Sequence, residues 1–185
     1  DFAVGFGLEL IGKRALVMLK NGLNTELENQ NTVWATLDAS LEFKPVRNEL
    51  IDRKNFYHGH RPSLIEAPIE NYPNVSVMSW QARPDPAERG DMVNKYNDSL
   101  FIEAMCKSDD SEEEVNSRIQ RMTDAIHVVI MSDPTIGGTS FGIGDTPTVT
   151  LTDVFVRPET RGHGRRFIWQ GSRLDYTVDH YHIAT

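Results

Sequence analysis

Residues 109 to 138, DDSEEEVNSRIQRMTDAIHVVIMSDPTIGG, admit one local structure, and that structure needs a partner surface. Ser111 and Glu114 stand at the spacing of a capping box, in which a hydroxyl and a carboxylate satisfy N–H groups left open where a helix begins. The spacing predicts a helix from about residue 112, with Glu112, Glu113 and Glu114 in the first turn against the positive end of the macrodipole. Val115, Ile119, Met122, Ile126 and Val129 recur at steps of four, three, four and three and so line one face, leaving Glu113, Asn116, Arg121 and Asp124 for water. Such a stripe must be buried against something. Asp133 precedes Pro134, which disfavours the α conformation, and Gly137 and Gly138 allow a sharp departure, so the helix is expected to stop near Ser132.

The rest of the chain sets the frame for that helix. Its 185 residues, 39% hydrophobic and 25% charged, suit one domain with a core, with or without an arm. With 19 basic and 27 acidic residues the formal net charge is −8, which argues against sequence-independent adhesion to nucleic acid. The single cysteine, Cys106, has no partner for an internal disulfide and lies in an apolar run, where it reads as a small buried hydrophobe rather than a nucleophile. No apolar run reaches bilayer-spanning length, so a soluble protein is expected, and DFAVGFGLELIG, with no basic leader, does not read as a signal peptide.

Taken in order, Leu8, Ile11, Ala15, Leu19, Leu23 and Leu27 predict a first helix over 8 to 28, weakened by Gly12 and Gly22 by roughly 1 kcal/mol each relative to alanine. From Glu28 to about Tyr72 periodicity fades into short apolar islands, Val33 with Trp34, Leu50 with Ile51, and Leu64 with Ile65, which reads as an extended arm over its own subunit or a neighbour. Val75, Val77, Met78 and Trp80 predict a strand, Gln81 to Asp98 a long polar loop, and Ser99 to Cys106 a central strand covered on both faces. After the helix, Val149 to Val156 alternates as a strand that Pro158 ends. Leu174, Tyr176 and Val178 then alternate with Asp175, Thr177 and Asp179 in a last strand over 168 to 183, where Gly171 suggests a bulge or bend. The expected architecture is α+β: a mainly antiparallel sheet of about four strands with two helices on one face, divided into a helix and arm over 1–72 and a core over 73–185 within a single structural domain.

Catalytic signatures are weak. His58-Gly-His60 and His180-Tyr-His182 could each offer two nitrogens to a zinc or iron ion from one side of a strand, but neither has a third ligand at a recognisable spacing, and His127 and His163 bear no fixed relation to them. Gly142-Ile-Gly144 lacks the lysine and the following helix of a phosphate loop, and Ser172 lacks a nucleophile elbow. No catalytic residue, metal site or cofactor is therefore expected. Two connections stand out instead: the exit from Gly137 to Gly144, which carries Phe141 and Ile143, and the basic loop with Arg157, Arg161, Arg165 and Arg166. These six residues are the candidate contacts with subunits or partners, the arginines being suited to a neighbour's carboxylates such as Glu112 to Glu114 or to passing DNA.

The helix with its DPTIGG exit, preceded by YPNVSVMSW (Tyr72 to Trp80) and followed by a strand, an arginine-rich loop and an alternating strand, resembles the tail terminator proteins of long-tailed bacteriophages. The resemblance covers roughly residues 70 to 185. It implies a structural virion protein, made in the host cytoplasm and located at the head–tail junction, that forms a ring, usually of six copies. Such a ring caps the tail tube, ends its polymerisation and joins the tail to the head connector or stopper. Its expected partners are its own copies, the major tail tube protein and the connector, while genomic DNA passes through without sequence reading and no membrane is involved. The arm over 28 to 72 and the long loop before Ser99 depart from the pattern, which leaves open another neck protein, a head completion or stopper protein. A small metal-dependent enzyme built on the His-x-His pairs is the reading from another class.

Overall fold

The computed structural model describes residues 8–59, 71–89, 93–109, 111–138, 142–144, 147–158 and 166–183. Two helices, α1 (Leu8–Ser40) and α2 (Glu112–Met131), lie on one face of a mixed seven-stranded sheet, an α+β arrangement. Its strands are β1 (Phe56–His58), β2 (Asn74–Arg89), β3 (Val93–Ser108), β4 (Gly142–Ile143), β5 (Thr148–Leu151), β6 (Phe155–Pro158) and β7 (Arg166–Ile183). β1 pairs parallel to β2, and every other pairing is antiparallel in the order β2–β3–β7. β4, β5 and β6 all pair with β7, at Val178–Asp179, Ser172–Asp175 and Arg166–Trp169 respectively. They are one edge strand in three pieces, and with β1, which lies within the expected arm, they account for the seven strands found among the described residues where the sequence shows about four.

The helix stripes account for the core. Val115, Ile119, Met122, Ile126 and Val129 of α2 are all buried, as are Ile11, Ala15, Leu19, Leu23 and Leu27 of α1, against Val75, Val77, Leu100, Ile102, Ala104, Leu174, Tyr176 and Val178 of the sheet. Gly12 and Gly22 face inward rather than merely loosening α1. A Cβ on Gly12 would come within 2.9 Å of the His58 ring, and one on Gly22 within 3.4 Å of Val129, so both let the helix approach closely. Cys106 is buried on β3 with its Sγ 3.7 Å from the Met122 sulfur. On the opposite face Tyr72, Met105 and Trp169 form a smaller cluster, with Phe155 stacked on Trp169 at 4.2 Å between centroids.

Both ends of α2 match expectation. The Ser111 hydroxyl accepts from the Glu114 N–H at 3.1 Å, but the Glu114 carboxylate turns to Ser108 and Arg118 at 3.0 and 2.8 Å instead of reaching back over the cap. At the exit the Asp133 carboxylate accepts from the Thr135 hydroxyl and from the N–H groups of Gly137 and Thr135, and these bonds, the hydroxyl's first, hold its pKa below the ordinary carboxylate value.

Three expectations are overturned. Residues 81 to 98 are not a loop: β2 runs to Arg89 and β3 starts at Val93, pairing through Arg89 opposite Asn94. Pro84 lies opposite Tyr96 in the β2–β3 ladder, whose register shifts between Pro84 and Arg89 around Pro86, and among the described residues β1 covers only Val75–Val77 on the other side of β2. Gly171 introduces no register shift against β3; the irregularity lies in its other neighbour, where Thr152 leaves the edge strand and exchanges hydrogen bonds with the Gly171 backbone at 2.9 Å.

The third concerns the arm. Residues 28–40 continue α1, and the chain returns as an extended strap over 43–52 before a 3₁₀ turn at Arg53–Asn55 and β1. The helix ends in a Schellman arrangement, the Phe43 N–H bonding the Asp38 carbonyl and the Glu42 N–H that of Ala39. Glu42 occupies the left-handed position, φ 62°, which glycine usually takes. Without the glycine, the sequence carries no stop signal there.

A polar ladder seats the strap. Asn24, Asn31 and Asp38 recur every seven residues and share a helix face. Asn24 exchanges two hydrogen bonds with the backbone of Ile51 at 2.8 and 2.9 Å, and Asn31 two with Asn48 at 2.7 and 3.0 Å. Asp38 accepts from the Val46 N–H at 3.2 Å. Arg121, expected to face water, closes the ladder from α2. It is buried, bonds both Asp38 carboxylate oxygens at 2.9 Å and the Val46 carbonyl at 2.5 Å, and lies 4.4 Å above the Trp34 ring. One turn earlier Arg118 donates to the Arg47 and Lys107 carbonyls and pairs with Glu114.

Candidate functional site

The six residues expected to make contacts are scattered by the fold. Ile143 is not a surface group: it sits in β4 opposite Val178, only 7% exposed, and belongs to the core, because a two-residue bridge to β7 was invisible among the flanking glycines. Phe141, Arg161 and Arg165 lie outside the described residues. Arg157 belongs to β6, opposite Phe167, and Arg166 opens β7, opposite Pro158, so both are strand residues rather than loop residues. Ile168 pairs with Ser108, three residues before the Ser111 cap. The strands that frame the basic cluster therefore end at the same end of the sheet as Glu112, Glu113 and Glu114. An arginine–carboxylate contact across copies would bring like ends together.

Two exposed apolar surfaces take over as candidates. One follows the interrupted edge: Val149 and Leu151 on β5 and Phe155 and Val156 on β6 are all exposed, and β5, reading TVTL, carries no charge. Among the described residues β5 pairs only with β7. Edge strands ordinarily carry lysine, proline or a bulge that discourages further pairing, and within β5 itself none is present. The second surface is the end of α1, where Val33, Leu37 and Leu41 recur every four residues and Phe43 follows, Leu41 and Phe43 each 58% exposed. The four-residue spacing was the available signal, hidden because the stretch did not read as a helix.

Around the strap are two clefts. One of 580 Å³ is lined by Glu28, Asn31, Thr32, Ala35, Pro45, Val46 and Arg47. The other, 230 Å³, lies between the end of α1 and α2 beside Trp34, Phe43, Lys44 and Asp124. Partial burial raises the Asp124 pKa above the usual carboxylate value, opposed by His127 one turn on. The His127 Nδ1 lies 2.9 Å from the Tyr176 hydroxyl, a phenol that burial pushes well above its ordinary pKa. Burial likewise pushes the Cys106 thiol up to about 12, which keeps it protonated and unreactive at neutral pH.

Of the two histidine pairs, only His58 has a described side chain. His58 ends β1, exposed, while His60 and the side chains of His180 and His182 lie outside what is described. Among the described residues no three histidine, cysteine or carboxylate groups are placed to share a metal ion, and no helix is long and apolar enough to cross a membrane. No family model matches the chain, and no curated protein does.

Proposed function

We propose that this chain is a structural virion protein of the head–tail junction, whose copies close into a ring, usually of six, that caps the tail tube, ends its polymerisation and joins it to the head connector or stopper. The observation that carries the reading is the exposed apolar edge formed by the uncharged β5 and by Phe155 and Val156 of β6, a surface suited to permanent burial against another protein. The capped α2 with its DPTIGG exit, set between the β2–β3 hairpin and β7, supports it. A head-to-tail interface closes into a ring or runs on as a filament according to its rotation, so a closed ring at the tube end can halt growth without catalysis. DNA passes through such a ring unread, and a chain of net charge −8 does not hold it. Another neck protein, a head completion or stopper protein, would use the same edge.

The reading is tested by complementing a phage that lacks this gene with a Val149→Lys, Leu151→Lys variant, alongside thermal melting of the purified protein. Both positions are exposed, so melting is expected to stay near that of the native chain while tails become overlong or headless. Fully infectious particles of normal tail length would count against the edge. Labelling of the protein at the tail tip or inside the capsid would overturn the location. Reversing Arg161 and Arg165 in the same assay separates the basic loop from the edge.

A further inference from the structure

The join between α1 and the strap has three properties that rarely coincide. It is short, Leu41 and Glu42 alone making the turn, and Glu42 holds the left-handed backbone, φ 62°, that a non-glycine residue adopts at a cost. The segment beyond it is gripped largely through its backbone: Asn24, Asn31 and Asp38 bond main-chain groups of Ile51, Asn48 and Val46, and from α2 Arg121 bonds Asp38 and the Val46 carbonyl. Finally, Leu41 and Phe43 stand largely exposed on either side of the turn, with Leu37 beside them.

We propose that α1 is exchanged between two copies of this chain. The turn at Leu41 and Glu42 opens, α1 of each copy takes the other's place between strap and sheet, and the Leu41 and Phe43 side chains of the two copies cover one another where the chains cross. A second copy is the fitting occupant because every group that seats α1 is already present in the chain: the apolar stripe, the asparagine ladder, the Asp38–Arg121 pair, and the Arg14 bond to the Gly137 carbonyl at 2.6 Å. Exchange keeps all of them, releases Glu42 from its backbone conformation and removes apolar surface from water. A short hinge under strain is the usual starting point for such an exchange. The exchange is independent of any role in a tail, since it needs only two copies.

Charge complementation reads it directly. Asp38→Arg places two arginines in one buried site and Arg121→Asp places two carboxylates there, so neither variant alone can form the pair. Co-expressed with different affinity tags, the two restore opposite charges at both sites only if α1 is exchanged. The expected result is a one-to-one mixed complex of twice the monomer mass that melts near the native protein; co-expression that yields no mixed complex overturns the proposal. In the otherwise native chain, deleting Glu42 should raise the dimer fraction several-fold in light scattering, and Glu42→Gly should lower it. A deletion variant that stays monomeric across the same concentrations also overturns it, whatever the charge variants do.

Discussion

The two halves of α1 are held by opposite chemistry. Up to Leu27 the helix buries Ile11, Ala15, Leu19, Leu23 and Leu27 against α2 and the sheet, a contact that is non-directional and scales with the area removed from water. Beyond Glu28 the inward face is polar, and Asn31 and Asp38 hold an extended strap by bonds of fixed length and angle. The apolar half chooses which face goes in. The polar half chooses a register, because a strap slipped by one residue would offer the ladder the wrong N–H and carbonyl groups. The difference also sets vulnerability: a stripe loses stability in proportion to what is removed, whereas a buried polar network fails when one partner is taken and the others are left unpaired.

The hardest blow should fall on the apolar half or its partner helix. Ile119→Asp, or Leu19→Asp in the same core, buries a charge with no counter-ion and is expected to cost several kcal/mol, enough to abolish cooperative unfolding in a denaturant titration. A soluble, cooperatively folding Ile119→Asp protein would show that the stripe faces water.

Next in size is the ladder's charged end. Arg121→Ala strands the buried Asp38 carboxylate and should cost about 3–5 kcal/mol, while Asp38→Leu combined with Arg121→Met, which removes both charges, should recover most of that loss. If the double variant is no more stable than the single one, the pair contributes through its bonds to Val46 and not through relief of buried charge.

Alkaline pH probes the apolar core between β3 and α2 without mutation. Because the folded Cys106 pKa is raised to about 12 from 9.0, the native state keeps its proton where the unfolded chain loses it. Stability is therefore independent of this group below the unfolded value and falls as pH rises through the interval above it, by up to about 1.4 kcal/mol per pH unit. Cys106→Ala should flatten that decline at the start of the interval, before the tyrosines titrate. An unchanged slope would assign the loss elsewhere. The smallest effect is expected from Asn31→Ala, which leaves the Asn48 N–H and carbonyl without their ladder partners and should cost about 1–3 kcal/mol, read as a shift in denaturant midpoint.

The same division governs how much was legible in the sequence. The cap at Ser111, the stripe and exit of α2, the first half of α1, and the alternation of β7 are written in apolar period and punctuation, and each is present where the spacing predicts it. The second half of α1 is not, because its inward residues are asparagine and aspartate and its stop is Glu42 instead of glycine. The strap leaves little signature, since the ladder reads its backbone, though Asn48 and Glu49 also reach α2 and β3 through their side chains. Only the seven-residue recurrence of Asn24, Asn31 and Asp38 could have announced it. Arg121 was misplaced for a related reason: position on a helical wheel predicts exposure only where no buried carboxylate awaits the guanidinium. The outer lengths of β2 and β3 were hidden because Pro84 and Pro86 read as breakers, whereas the ladder takes them with a register shift between Pro84 and Arg89, a tertiary fact. For the candidate site the outcome was mixed: Val149, Leu151 and Phe155 were placed on a strand, but Ile143 proved to be core and the apolar end of α1 was missed.

The place of β7 in the sheet also sets the order in which the molecule can be assembled. β2 and β3 are close in sequence, Arg89 pairing with Asn94, and can zip locally, but β3 meets β7 through pairs separated by about 60 to 90 residues, a loop closure that costs entropy before it yields contacts. β4, β5 and β6 pair with nothing else among the described residues, so whatever pairing they make with β7 joins the rest of the sheet only at the moment β7 docks on β3. Until that moment β3 presents an open edge sixteen residues long, with Leu100, Ile102 and Ala104 along it. The slow step of folding and the period of greatest exposure to aggregation are therefore the same event, and both end with the arrival of one strand.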